Sequence, residues 1–129
     1  MSDKIKFQLE IEVKSSTKVL YNMISTPSGL SEWFADDVNI KDDVYTFFWD
    51  GSSEEAKLLT RRKGEAIKFQ WLEDFEDGDK TFFEMAIKID ELTNDVALMV
   101  TDFAEEDEIE ESKLLWTNQV NDLKKVIGS

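Results

Sequence analysis

Apolar and polar positions alternate cleanly at the start of the chain. Ile5, Phe7, Leu9, Ile11 and Val13 are separated by Lys6, Gln8, Glu10 and Glu12, the period-two signature of a strand with one buried and one wet face. The period then changes. Ser15 or Ser16 can cap a helix whose apolar residues Val19, Leu20, Met23 and Ile24 have i, i+3, i+4 spacing and which stops near Ser25. Thr26-Pro27 reads as a second cap followed by proline at the first helical position, predicting a short helix through Leu30 to Trp33 or Phe34. A short strand is expected around Val38 to Ile40, turned by Asp42-Asp43. Five further strands, 44–49, 55–62, 65–72, 80–89 and 95–103, are separated by turn signals at Asp50-Gly51, Lys63-Gly64, Asp77-Gly78 and Asn94-Asp95. Each connection is too short for a crossover, so these strands form an antiparallel meander.

The only long helical period closes the chain, over 109–127. At about 100° per residue, Ile109, Trp116, Val120, Leu123 and Ile127 fall within an arc of roughly 60°, widened on one side by Leu115 and Val126. Glu110, Lys113, Thr117, Asn121, Lys124 and Lys125 take the opposite face. Acids crowd the amino end, lysines sit near the carboxyl end and Gly128 follows, matching the macrodipole and helix-stop rules. A twisted sheet of about six to seven strands curls, and its concave side needs a cover that this helix has the length to supply. The expected architecture is a single α+β domain over residues 1–129: a curved antiparallel sheet wrapped around a long C-terminal helix, with two short helices after the first strand.

Composition narrows the chemistry. The 129 residues contain no Cys and no His, which removes disulfides, thiolate nucleophiles, cysteine-ligated zinc and the usual general base near neutral pH. A net charge of −14 argues against binding nucleic acid or an anionic membrane through a broad basic face. Arg61, Arg62 and Lys63 form the one basic cluster and read as a solvated strand end. No apolar run approaches a membrane span and the opening residues, Met1 to Lys6, lack a signal-peptide core, so a cytosolic protein is expected.

The order strand, two helices, six strands, long helix, with the run Leu30-Ser31-Glu32-Trp33-Phe34-Ala35-Asp36-Asp37-Val38 and Trp116 on the terminal helix, resembles the START-like helix-grip superfamily. Within it the likeness is closest to small bacterial domains related to the carboxyl-terminal domain of the Hsp90 ATPase activator. That resemblance implies a space between sheet and helix that holds hydrophobic ligands such as lipids, sterols or polyketides; some members cyclise or dehydrate polyketides and others regulate a chaperone. The strand over 44–49 has no glycine pair before it, a departure from the activator-like pattern, so chaperone regulation is not carried over.

The candidate ligand-binding residues follow from strand parity and the helical arc. Phe47, Trp49, Phe69, Trp71, Phe83 and Met85 occupy alternate strand positions, and Trp116 and Val120 lie on the facing helix stripe, with Trp33 nearby. These rings either line a pocket or fill a core. Ser112 and Gln119 sit inside the apolar arc at seven-residue spacing, and Gln119, helped by Ser112 or Thr60, would give an apolar pocket its orienting polar groups. No cofactor, metal site or catalytic residue is implied. The acidic segment around Gly78 fails as an EF-hand because Phe75 holds a ligand position and strands flank it. The run from Asp102 to Glu111 reads as a solubilising helix start. The expected function is non-catalytic binding of a small hydrophobic ligand, lipid-like or aromatic. The alternatives are a cyclase- or hydrolase-like enzyme using Asp36, Tyr45 or Glu84, with Asp37 a further carboxylate beside Trp33 and Phe34, and an acidic module that docks a protein partner or a second copy.

Overall fold

The computed structural model describes residues 4–129. Residues 1–3, part of the segment read above for a signal core, lie outside that range. The first strand, β1 (Ile5–Glu12), turns Phe7 into the core and keeps its charged residues in solvent, and Val13 is buried just beyond its end. Helix α1 (Thr17–Ser25) starts where Ser16 Oγ accepts the Val19 amide at 3.1 Å, and α2 (Pro27–Leu30) where Thr26 Oγ1 accepts the Gly29 amide at 2.9 Å. The second helix is shorter than the spacing predicts: the chain leaves it at Leu30, with the Phe34 and Ala35 amides both turning back to the Leu30 carbonyl. That turn swings Phe34 inward rather than along a helix face.

The chain then enters β2 (Asp37–Lys41), β3 (Val44–Trp49), β4 (Ser52–Arg62), β5 (Ala66–Trp71), the short helix α3 (Leu72–Glu76), β6 (Phe83–Ile89) and β7 (Val96–Ala104), and closes with α4 (Ile109–Ile127) after a 3-10 turn over Glu106–Glu108. All seven strands join one antiparallel sheet in the order β1-β7-β6-β5-β4-β3-β2. Strands β2 to β7 are neighbours in sequence and in space. Only β1 breaks the meander, pairing with β7 at the far edge, so α1 and α2 carry the chain from one edge of the sheet to the other. The turns use the expected residues, with Gly51, Gly64 and Gly78 at φ near +80° and Asp42, Asp43 and Asn94 in the left-handed region.

Several expectations are corrected. Strand β4 begins at Ser52, earlier than expected, and β6 begins at Phe83, later. Where a strand was expected to run on through Leu72 into a hairpin tip, α3 forms instead, its Glu73 and Asp74 complementing the amino-terminal dipole. Gln70 Nε2 on the Asp79 carbonyl (2.8 Å) and Thr81 Oγ1 on Asp74 Oδ2 (2.7 Å) tie this excursion back to the sheet. On α4, Leu115 and Val126 are 58% and 44% exposed, so the buried stripe is narrower than the arc suggested and rests on Trp116, Val120 and Leu123. Register shifts between Leu58 and Thr60, which leaves Thr60 opposite Lys68 on the outer face and exposed. Thr60 cannot help Gln119.

Candidate functional site

The centre of the molecule is a ring cluster between the concave side of the sheet and α4. Strand parity delivers Phe47, Phe69, Phe83 and Met85, all fully buried, with Trp49 and Trp71 at the margin, and α4 contributes buried Trp116 and Val120. Phe69 and Trp71 lie 5.1 and 4.9 Å from Phe83, ring centre to ring centre, and Phe83 lies 6.2 Å from Trp116. Phe34, arriving from the loop after α2, occupies the middle: it meets Phe47 at 5.1 Å, Trp116 at 5.7 Å, Trp49 at 5.8 Å and Phe83 at 6.0 Å. The rings therefore meet one another across the space that the helix covers, at the separations usual for packed aromatic pairs.

Phe34 also organises the polar contacts. Its carbonyl oxygen accepts Trp49 Nε1 at 3.0 Å and, more loosely, Gln119 Nε2 at 3.4 Å. The half-buried amide of Gln119 thus finds its partner in the loop rather than in Ser112, which is also half-buried on α4. Trp33, buried behind Phe34, donates its indole N–H to the Met23 carbonyl at 2.9 Å and so ties the loop to α1. Trp33, Phe34, Trp49, Gln119, Asp36 and Asp122 border an open groove of about 490 Å³ at the mouth of the grip. Of the predicted residues, Trp33, Trp49 and Gln119 meet at this groove, Phe47, Phe69, Trp71, Phe83, Met85, Trp116 and Val120 lie in the packed interior or its margin, and Ser112 lies farther along α4.

The carboxylates weighed from the sequence do not enter the grip. Asp36 and Asp37 are exposed, and Asp37 accepts the Val38 amide beside it. Glu84 lies on the outer face of the sheet between Lys68 and Thr101. The inward carboxylate is Asp102, which was assigned to a solubilising acidic run. Counting alternate residues back from buried Ala104 through Val100 and Leu98 places it on the inner row. Its Oδ2 accepts Trp116 Nε1 at 2.8 Å and its Oδ1 the Phe103 amide at 2.7 Å. Burial pushes the Asp102 pKa up from 3.8, while the two hydrogen bonds and Lys4 pull it down and Asp74 adds to the rise. Asp74 itself lies 4.0 Å from Lys4 Nζ.

A second polar cluster lies beneath α1. Tyr45, fully buried on β3, donates to the Ser25 carbonyl at 3.0 Å and accepts Arg61 Nη2 at 2.7 Å. The basic cluster is therefore not simply a solvated strand end, since Arg61 shares the inner face with Ile67, its partner on β5. Burial raises the Tyr45 pKa above 10.0, and the Arg61 charge opposes that rise. The neighbouring Tyr21 hydroxyl is, among the described residues, the buried side-chain polar atom that has no hydrogen-bond partner, an arrangement that costs about 1 to 3 kcal/mol.

A family comparison decides the fold's kinship: the START-like superfamily domain profile matches residues 1–129. The chain belongs to the START-like superfamily. No curated protein matches this START-like domain. Among solved structures, it is 36% identical to BfR322 of Bacteroides fragilis, covering 97% of this chain and 92% of that one with a TM-score of 0.68. The Aha1 dimer of Colwellia psychrerythraea shares the fold at 18% identity and a TM-score of 0.79, covering 95% of this chain and 96% of that one. A conserved protein of unknown function, EF2215 of Enterococcus faecalis, does so at 14% identity and a TM-score of 0.72, with 98% of this chain and 73% of that chain covered. Among the described residues of the START-like domain, no helix is long and apolar enough to cross a membrane.

Proposed function

We propose that this START-like domain binds a small hydrophobic molecule, aromatic or lipid-like, non-covalently at the mouth of its grip. The observation that carries this reading is the Phe34 carbonyl, held by Trp49 and Gln119 at the border of a groove of about 490 Å³ whose wall continues into the ring cluster. Trp33, Phe34 and Trp49 give the groove the aromatic side of a small-molecule site, and Glu32, Asp36, Gln119 and Asp122 give it a polar border. Because rings occupy the centre, the ligand lies against Trp33 and Trp49, and reaches deeper only as far as the Phe34 side chain moves aside. Binding by this geometry calls for no metal or cofactor.

A thermal-shift screen of flat aromatics, fatty acids and sterols, followed by quenching of tryptophan fluorescence, tests the reading. A ligand at one hundred times its Kd should add about 2.7 kcal/mol to stability, and Trp49→Ala should remove most of that gain. A Gln119→Leu variant that gained stability and kept full binding would end the role given to the amide. A second reading, docking of a basic protein partner against the acidic surface, is favoured by the meeting of the rings in the interior and by the net charge of −14. It requires association that weakens steeply with salt. The Colwellia relative is described as a dimer, so a second copy of this chain belongs among the partners to test.

A further inference from the structure

A second depression, more apolar than the mouth of the grip, lies elsewhere on the surface. A groove of about 820 Å³ runs between α1 and the Lys63-Gly64 turn that joins β4 to β5. Val19, a helix residue 46% exposed, and the ring of Tyr21 form part of its wall, with Lys18 and Lys63 also lining it. Three independent features meet here. An apolar valine on a helix faces water instead of the core. Lys18 and Lys63 have no ion-pair partner among the described residues, although the chain carries 29 acids against 15 bases. The ring of Tyr21 adds apolar surface to the same groove, while its hydroxyl is buried out of reach of it.

We propose that this groove is a second binding site, for a free amphipathic carboxylate with a short apolar tail. Apolar walls accept the tail, and the two ammonium groups accept the negative head as point charges on flexible stems. A neutral hydrocarbon would leave both cations unused. Arg61 does not line the groove and its Nη2 is bound to the Tyr45 hydroxyl, so the groove holds no arginine fork for a phosphate dianion.

The test is a backbone-amide NMR titration of the full-length chain with octanoate, octanol and phosphatidylglycerol vesicles. The groove contains no tryptophan, so shifts at Lys18, Val19, Tyr21, Lys63 and Gly64 separate it from the grip mouth at Trp33, Trp49 and Gln119. Octanoate should give saturable shifts at the first set, with octanol weaker by about tenfold. The double variant Lys18→Glu, Lys63→Glu should keep the folded spectrum and lose at least about tenfold in octanoate affinity, a charge effect that added salt reduces in the unsubstituted protein. Tyr21→Phe removes only the buried, unpartnered hydroxyl and keeps the ring, so it should fold and bind octanoate with unchanged affinity. Equal binding of octanol and octanoate, or affinity unchanged in the double variant, would overturn the proposal. Octanoate shifts confined to the grip mouth would overturn it too while leaving the mouth site standing, and co-sedimentation with vesicles in place of octanoate binding would overturn it in favour of a lipid surface.

Discussion

At the scale of single residues, Phe34 holds the grip together. Phe34 is buried and touches rings from two strands, from α4 and from its own loop, so truncation removes contacts on every side and leaves a cavity that packed rings cannot easily collapse. Phe34→Ala should cost about 3 to 5 kcal/mol in urea unfolding. Asp102 acts in the opposite sense. Its folded pKa lies above the unfolded value of 3.8, so the native state binds more protons than the unfolded chain between those two values. Stability from this group is therefore greatest below 3.8 and falls as pH rises through the folded value. Asp102→Asn keeps an oxygen acceptor for Trp116 and removes the buried charge. The variant should melt a few degrees above the unsubstituted protein at pH 7, and the gap should close as pH falls below 4. A constant gap across that range would show that the carboxylate is not the source.

At the scale of elements, the joint between α1 and α2 leaves no room for a side chain at Gly29. A Cβ on Gly29 would run into the Asn22 carbonyl oxygen and lie 2.7 Å from Met23 Cα, both backbone atoms that cannot step aside. Gly29→Ala should therefore cost about 1 to 3 kcal/mol in denaturant unfolding despite being a one-carbon change, and by loosening the turn it should also weaken any ligand held at Trp33 and Phe34. The same joint marks the boundary of what the sequence discloses. Strand parity and turn residues act locally, which is why β1, β3 and β5, both caps and the stop at Gly128 can be read from neighbours a few positions away. The inward swing of Phe34 depends on the Leu30 carbonyl taking the amides of Trp33, Phe34 and Ala35, the Phe34 contact with Gln119 spans 85 residues, and the shift at Thr60 depends on how β4 meets β5. None of these has a local signature. Helix α3 was hidden for another reason: Glu73, Asp74 and Glu76 are equally at home in a solvated turn and in the first turn of a helix. Asp102 was legible by parity, but the acids that follow it drew it into the wrong group.

At the scale of the whole molecule, the excess of acids works against the fold that buries so many rings. Twenty-nine carboxylates against fifteen bases, with a single ion pair within 4.0 Å among the described residues, leave most negative charge unopposed at short range. Mutual repulsion on a compact surface favours the expanded chain. Salt screens it over about 8 to 10 Å near physiological strength, so raising NaCl from about 20 to 500 mM at pH 7 should raise the melting temperature by several degrees. The same titration near the isoelectric point, where acids and bases balance, should show a much smaller rise, because there is little net repulsion left to screen. A salt response equal at both pH values would mean that the effect comes from strengthened apolar burial instead. The comparison also bears on function: a basic partner would relieve the repulsion where it docks, so its affinity should fall over the salt range that stabilises the free protein. An apolar ligand at Trp33 and Trp49 carries no such charge, and its affinity should hold steady or rise.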